Sequence, residues 1–222
     1  MLFMKIFRDR RDAGQFLAEK LIKYANCPGV VVLALPRGGV PVAYEVAQKL
    51  HAPLDVFLVR KLGVPGHEEL AMGAIASGGV RVLNEDIVSE IQIPDGVIDQ
   101  IAAMELRELQ RRERLYRGAR PPLDVCGRTA IIVDDGLATG STMRAAVKAV
   151  RQKQPRKIIV AVPVGARETC DSFKNEIDTM AVCAITPEPF QAVGLWYRDF
   201  SQTTDEEVRK LLARADEISV AA

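Results

Sequence analysis

Apolar positions along the chain fall into two periods, and their alternation predicts an α/β protein. Val30 to Leu35, Ile131 to Val133, Lys157 to Val162 and Met180 to Ile185 are short apolar, mostly β-branched runs, which suit strands buried on both faces of a parallel sheet. Asp55 to Arg60 reads as a further strand, with Arg60 and Lys61 at its C-terminal end. Helical spacing appears between them. Asp12 to Tyr24 places Ala13, Phe16, Leu17, Leu21 and Ile22 on one side, and Val40–Leu50, Ser141–Gln154, Ala166–Phe173 and Asp205–Ala215 are further helices. Gly73–Ala76 and Val80–Leu83 flank Ser77-Gly78-Gly79, a hairpin pattern. Leu62 to Ala71 mixes glycine, proline and charge without a period, which predicts a mobile loop.

The longest periodic segment, Asp95 to Tyr116, carries Ile98, Ile101, Ala102, Leu106 and Leu109 on one face. Glu108 with Arg112 and Glu113 with Arg117 stand at pair-forming spacing on the other. No repeat or low-complexity linker interrupts the order of strands and helices. The expectation is a right-handed, mainly parallel, three-layer sheet in one domain over residues 1–222, with a core at about 12–185, an inserted helix at about 95–117 and a C-terminal tail over 186–222.

Composition narrows the function classes. A chain of 222 residues with 48% hydrophobic content is long enough to bury a full core. Its 30 basic and 29 acidic residues nearly cancel, so no global basic field points to nucleic acid or an anionic membrane, and any anion site must be local. Arg107, Arg111, Arg112 and Arg114 cluster on the long helix, but Glu105, Glu108 and Glu113 between them make a salt-bridged solvent face the expectation, with packing across a homodimer interface a further possibility. Arg8, Arg10 and Arg11 read as solvated arginines near a helix start, although they could approach a phosphate. Cys27, Cys126, Cys170 and Cys183 are scattered, without metal or redox spacing, and read as buried thiols. No leader-like or membrane-spanning apolar run is evident, so a cytoplasmic protein is expected.

The chemistry concentrates at Ile131-Ile132-Val133-Asp134-Asp135-Gly136-Leu137-Ala138-Thr139-Gly140-Ser141-Thr142-Met143. A buried strand delivers two carboxylates to its end, the chain turns at Gly136 and Gly140, and a helix begins at Ser141. Backbone N–H groups from Leu137 to Thr142 can converge on a phosphate, helped by the hydroxyls of Thr139, Ser141 and Thr142 and by the positive end of the helix dipole. Asp134 and Asp135 suit the vicinal hydroxyls of a ribose and can help hold a hydrated divalent cation, directly or through water. The plain alternative is a capped helix after an acidic βα turn.

This stretch resembles the phosphoribosyl pyrophosphate (PRPP) binding motif of the type I phosphoribosyltransferases, closest in wording to the adenine-type members. In hypoxanthine-guanine members an aspartate precedes the Thr-Gly pair, whereas this chain has Ala138 there, so the in-motif base is missing. The resemblance implies a Mg²⁺-dependent enzyme of nucleotide metabolism such as purine salvage, transferring the 5-phosphoribosyl group of PRPP to a small-molecule acceptor. It also implies that the loop after the first core strand, Arg37-Gly38-Gly39, holds the diphosphate, often through a non-proline cis peptide, with Arg60 and Lys61 nearby. Asp134, Asp135, Arg37 and Lys61 would then carry catalysis. Gly63, Gly66, His67, Glu68 and Glu69 match the flexible loop that folds over PRPP. In the family the chain ends form a hood over the acceptor, for which Phe190, Trp196, Tyr197 and Asp199 are candidates; aromatic residues pinning the tail to the core are the competing reading. PRPP binding without transfer, as a regulator, and transfer to an acceptor other than a nucleobase remain open.

Overall fold

The computed structural model describes residues 5–176 and 180–220. Five strands form a parallel sheet in the order β2-β1-β6-β7-β8: β1 (Val30–Ala34), β2 (Leu54–Val56), β6 (Thr129–Val133), β7 (Lys157–Val164) and β8 (Met180–Ile185). The apolar runs are buried because both faces of this sheet are covered. On one side Val30, Val32, Ala34, Ile131 and Val133 pack with helices α1 (Arg10–Lys20), α2 (Gly39–Leu50) and α7 (Asp205–Val220). On the other, Val31, Leu33, Ala130, Ile132 and Val160 meet α5 (Ser141–Arg151) and α6 (Arg167–Glu176). The three-layer, mainly parallel architecture is as expected.

A second sheet holds β3 (Val59–Val64), β4 (His67–Ala76) and β5 (Val80–Leu83), all antiparallel. This corrects two expectations. The run from Asp55 to Arg60 is not one strand, because the chain leaves the parallel sheet after Val56: Phe57 N–H donates to Ala34 O, and Leu58 N–H to Ser77 Oγ, which passes the backbone to the second sheet. The segment Leu62 to Ala71 is a paired hairpin closed at Pro65-Gly66, with register shifts at Leu62/Gly63 and Gly63/Val64. The Ser77-Gly78-Gly79 turn between β4 and β5 is as expected.

The expected long helix is α4 (Asp95–Arg117), preceded by a short α3 (Glu85–Ile91) that the pattern did not suggest. Ile98, Ala102 and Leu109 face the core beside Leu62 and Met72 of the second sheet. Both expected pairs form, Glu108 with Arg112 and Glu113 with Arg117, yet Arg117 does not belong to the solvent face. Its side chain is 7% exposed, its Nε donates to both oxygens of Asp55 at 2.8 and 2.9 Å, and its Nη2 to Val56 O at 2.8 Å. Asp55 is 8% exposed and also accepts from Leu123 N–H, so one buried pair ties α4 and the following connection to β2. Breaking such a pair leaves a charge uncompensated in the interior. Arg117→Ala is therefore expected to cost about 3–5 kcal/mol, read as a fall in the urea midpoint at unchanged slope, and a loss under about 1 kcal/mol contradicts this account.

The cysteines depart from expectation. Cys170 of α6 and Cys183 of β8 are joined in a disulfide, while Cys27 and Cys126 are exposed rather than buried. Among the described residues no helix is long and apolar enough to cross a membrane.

Candidate active site

The sheet order creates the site. From β1 the chain moves through α2 to β2 on one side, whereas β6 leads through α5 to β7 on the other, so the connections diverge where β1 and β6 lie side by side. A crevice at such a switch point, beyond the C-terminal strand ends, is where open α/β sheets bind ligands. Two loops border it, residues 35–39 after β1 and residues 134–140 after β6. They are fastened together where Leu35 N–H donates to Val133 O at 2.9 Å, and Gly39 N–H returns to Leu35 O at 3.0 Å. The Pro36-Arg37 peptide is cis, the feature that the family resemblance implied for this loop.

The closeness of the loops requires glycine at position 39, where the nearest atoms are backbone, whereas at position 38 they belong to side chains. A Cβ on Gly39 would lie 2.8 Å from Val133 O and 2.9 Å from Asp134 Cα, and one on Gly38 would lie 2.0 Å from Asp135 Oδ2. The loop thus presses its backbone onto the acidic pair. Arg37 reaches Asp205 at the start of α7, 3.7 Å away, and Asp205 also accepts from Tyr116 Oη at 2.7 Å. Burial, reinforced by that hydrogen bond, pushes the Tyr116 hydroxyl up to about 12.

Asp134 and Asp135 are both largely enclosed. Asp134 Oδ1 accepts from Asp135 N–H at 2.8 Å. Burial, then the neighbouring Asp135 charge, holds the Asp134 carboxyl well above the usual carboxylate range. Burial raises Asp135 as well, opposed by a partner that the sequence pattern had left on the surface: Arg10 Nε donates to Asp135 Oδ2 at 2.8 Å. The other two arginines of that cluster pair elsewhere, Arg8 with Asp12 and Arg11 with Glu45.

The loop after β6 is tied from outside, and Leu137 N–H, expected among the donors converging on a phosphate, donates to Val164 O instead. Gly140 adopts φ +77°, which a side chain rarely tolerates, and no side chain caps α5. Leu137 bridges to β7 and α6 through Val164 O and Ala166 N–H. Thr169 Oγ1 donates to Ala138 O at 2.7 Å and Arg144 Nη1 to Thr139 O at 2.7 Å, while Arg144 Nη2 reaches Ser172 Oγ. Outward carbonyls thereby find partners on α5 and α6. Thr139, Ser141 and Thr142 are exposed, with Thr139 Oγ1 and Ser141 Oγ 3.3 Å apart. Thr169 carried no signal in the sequence, because its partner Ala138 O is met only once α6 docks.

Other candidates are placed differently from expectation. Arg60 and Lys61 lie within β3, not at the end of a core strand; Arg60 pairs with Glu105 of α4, and Lys61 with Glu69 across the hairpin at 3.4 Å. His67, Glu68 and Glu69 stand exposed on β4, with Gly63 and Gly66 at the bulge and the turn. In the tail, Trp196 and Tyr197 are buried beside Phe7, Ala13 and Val164, a packing that anchors the tail to α1 and β7. The pairing that fixes them runs Phe7 N–H to Trp196 O and Arg198 N–H to Phe7 O, each 2.8 Å. Tyr197 Oη donates to Asp135 O at 2.5 Å, and burial raises its pKa. Asp199 turns its carboxylate to Ser201 N–H, which lowers its pKa, and Phe190 is half-buried.

The oxygen donors fit Mg²⁺ brought in with a phosphate ligand, since that ion binds through one or two carboxylates plus substrate oxygens. Among the described residues no group of three or more His, Cys, Asp or Glu forms a closed metal cage.

The family model of the phosphoribosyl transferase domain matches residues 8–195. A Mycobacterium tuberculosis protein provisionally named a phosphoribosyl transferase is 49% identical over 212 residues, 96% of this chain and 47% of that protein. The chain therefore spans about half the length of that relative. The crystal structure of a Thermus thermophilus protein, TT1426, matches with a TM-score of 0.82 at 42% identity, over 94% of this chain and 98% of that one. The bifunctional protein PyrR of Roseiflexus sp. is 34% identical over 139 residues, 57% of this chain and 66% of its own.

Proposed function

The chain belongs to the type I phosphoribosyltransferase family, and from that premise we propose that residues 1–222 act as one domain that transfers the 5-phosphoribosyl group of PRPP to a nitrogen acceptor, a nucleobase, with release of diphosphate. The observation that carries this is the contact of the two loops at the switch point, where the Gly39 Cα leaves less than a methyl's space beside Asp134. A ligand reaching both loops has one end on the N–H groups and hydroxyls of Ala138 to Thr142 and the other against Arg37, Gly38 and Gly39. Between them, Asp134 and Asp135 accept the ribose hydroxyls. That spacing of anion, polyol and anion is the layout of PRPP.

In this mechanism the chain works by position and charge. The acidic pair fixes the ribose and favours positive character at the anomeric carbon as the C–O bond to diphosphate lengthens. The acceptor nitrogen forms the new C–N bond and gives up its proton to solvent, and the electron pair of the broken bond leaves on diphosphate. Arg37 donates charge-assisted hydrogen bonds to the departing oxygens. Mg²⁺, when bound with PRPP, supplies neutralisation of diphosphate charge. The hairpin from Gly63 to Ala71, with Lys61 at its base, closes over the ribosyl centre and excludes water, which competes with the acceptor.

The hairpin separates this function from its alternative. PRPP binding without transfer is favoured by Ala138, which provides no base within the motif. Replacing residues 64–68 by a tight glycine turn is expected to abolish turnover while calorimetric binding of Mg²⁺-PRPP stays nearly unchanged. Unaltered turnover in the trimmed protein overturns the transferase mechanism.

A further inference from the structure

We infer that Arg10 is a positioning residue for the acidic pair, and that the tail acts as a brace for that arginine rather than as a hood over the acceptor. The inference rests on the PRPP reading of the site. Arg10 has a 12% exposed side chain, and its partner Asp135 is 16% exposed. Three contacts hold the guanidinium. Nε donates to Asp135 Oδ2 at 2.8 Å, Nη1 donates to Ser201 O at 2.6 Å, and the group stacks over Phe200 with Cζ 4.0 Å from the ring centroid. A planar fork can make two in-plane bonds and a stack together, which a lysine cannot reproduce.

The placement of this pair gives it a consequence at the site. A Cβ on Gly38 would meet Asp135 Oδ2 at 2.0 Å and Arg10 Nε at 3.2 Å, so the ion pair lies directly on the backbone of the diphosphate loop. Arg10 draws one oxygen of Asp135 toward that loop, while Tyr197 Oη holds the Asp135 carbonyl from the other side. The orientation of Asp135 is thus set by residues from α1 and the tail, both distant in sequence. Asp199 N–H donates to Arg8 O at 2.9 Å, and Arg198 N–H to Phe7 O, which keeps the brace in register with the start of α1. With Arg10 removed, Asp135 loses its cation and stands beside Asp134 with two carboxylates in one enclosed space, free to turn away from the ribose hydroxyls.

The test compares Mg²⁺-PRPP binding by calorimetry for wild type, Arg10→Ala, Arg10→Lys and Phe200→Leu, each checked for a cooperative melt. Outer partners that orient ligating groups typically carry a 10- to 100-fold effect. Arg10→Ala is expected to weaken Kd by about that factor, Arg10→Lys to recover part of it, and Phe200→Leu to fall between Arg10→Lys and wild type. Millimolar methylguanidinium is expected to restore binding to Arg10→Ala and to leave wild type unchanged, a rescue that a general loss of packing does not produce. Wild-type affinity in folded Arg10→Ala, or no rescue and no gain in Arg10→Lys, overturns the inference. If wild type itself fails to bind Mg²⁺-PRPP, the reading of the site falls, and the inference with it.

Discussion

Asp134→Asn is expected to make the protein more resistant to heat and at the same time to weaken Mg²⁺-PRPP binding by at least about a hundredfold. Two effects of the same carboxyl produce this opposition. Burial, with the Asp135 charge behind it, raises the Asp134 pKa well above the usual carboxylate range in the folded state. A group raised on folding contributes stability at low pH, and that contribution is lost as pH rises through the folded value. Above that value the wild type carries the disfavoured charge. Asparagine removes the charge and keeps an oxygen for Asp135 N–H, so there the variant melts higher, and the gap narrows as pH is lowered through the raised value. Binding moves the other way, because a charged acceptor for a ribose hydroxyl contributes about 1.5–3 kcal/mol and the cation loses a ligand. About 3 kcal/mol is a hundredfold in Kd. Melting curves followed over the whole pH range in which the protein stays folded and a titration with Mg²⁺-PRPP check both halves; a variant that binds like wild type contradicts the assignment.

Gly39→Ala is expected to have a large effect for a single added methyl. The added carbon meets Val133 O and Asp134 Cα, which are backbone atoms of the motif, so no side-chain rotation relieves it. The loop after β1 must lift away from β6, which separates the diphosphate site from the ribose site. Overpacking of this sort costs about 1–3 kcal/mol in stability. The two ends of PRPP then no longer match their partners, and misplacement of about 1 Å can cost a hundredfold in turnover. Gly96→Ala is the comparison: the position lies in α4 with nothing within 4 Å of an added Cβ, and helix propensity there favours alanine. The first variant is expected to lose PRPP binding and the second to match wild type or melt slightly higher. Equal binding by Gly39→Ala and wild type contradicts the close apposition of the loops.

What the sequence made legible had short-range causes. β1, β6 and β7 announce themselves because strands buried on both faces carry unbroken apolar runs, and α4 because its core face recurs at helical spacing. The loop at Asp134 to Thr142 is legible because strand, acids, glycines and hydroxyls are contiguous. Features decided by distant partners were hidden. The passage from β2 to β3 lies inside an apolar stretch and is fixed by Ala34 and Ser77, neither of them local. Arg10 sits between arginines whose own side chains are exposed, and its partner is 125 residues away. The tail aromatics could anchor or recognise, and only pairing with Phe7 selects anchoring. The disulfide depends in the same way on α6 lying against β8.

The central claim is transfer from PRPP, and diphosphate release tests it most directly. Wild type with PRPP and Mg²⁺ is assayed alone and with a panel of purine and pyrimidine bases, beside the Asp134→Asn/Asp135→Asn variant. Release is expected to depend on one base or a narrow set and to disappear in the variant. Release from no base, by a protein that still binds PRPP, would contradict the transferase and leave a binding protein in its place.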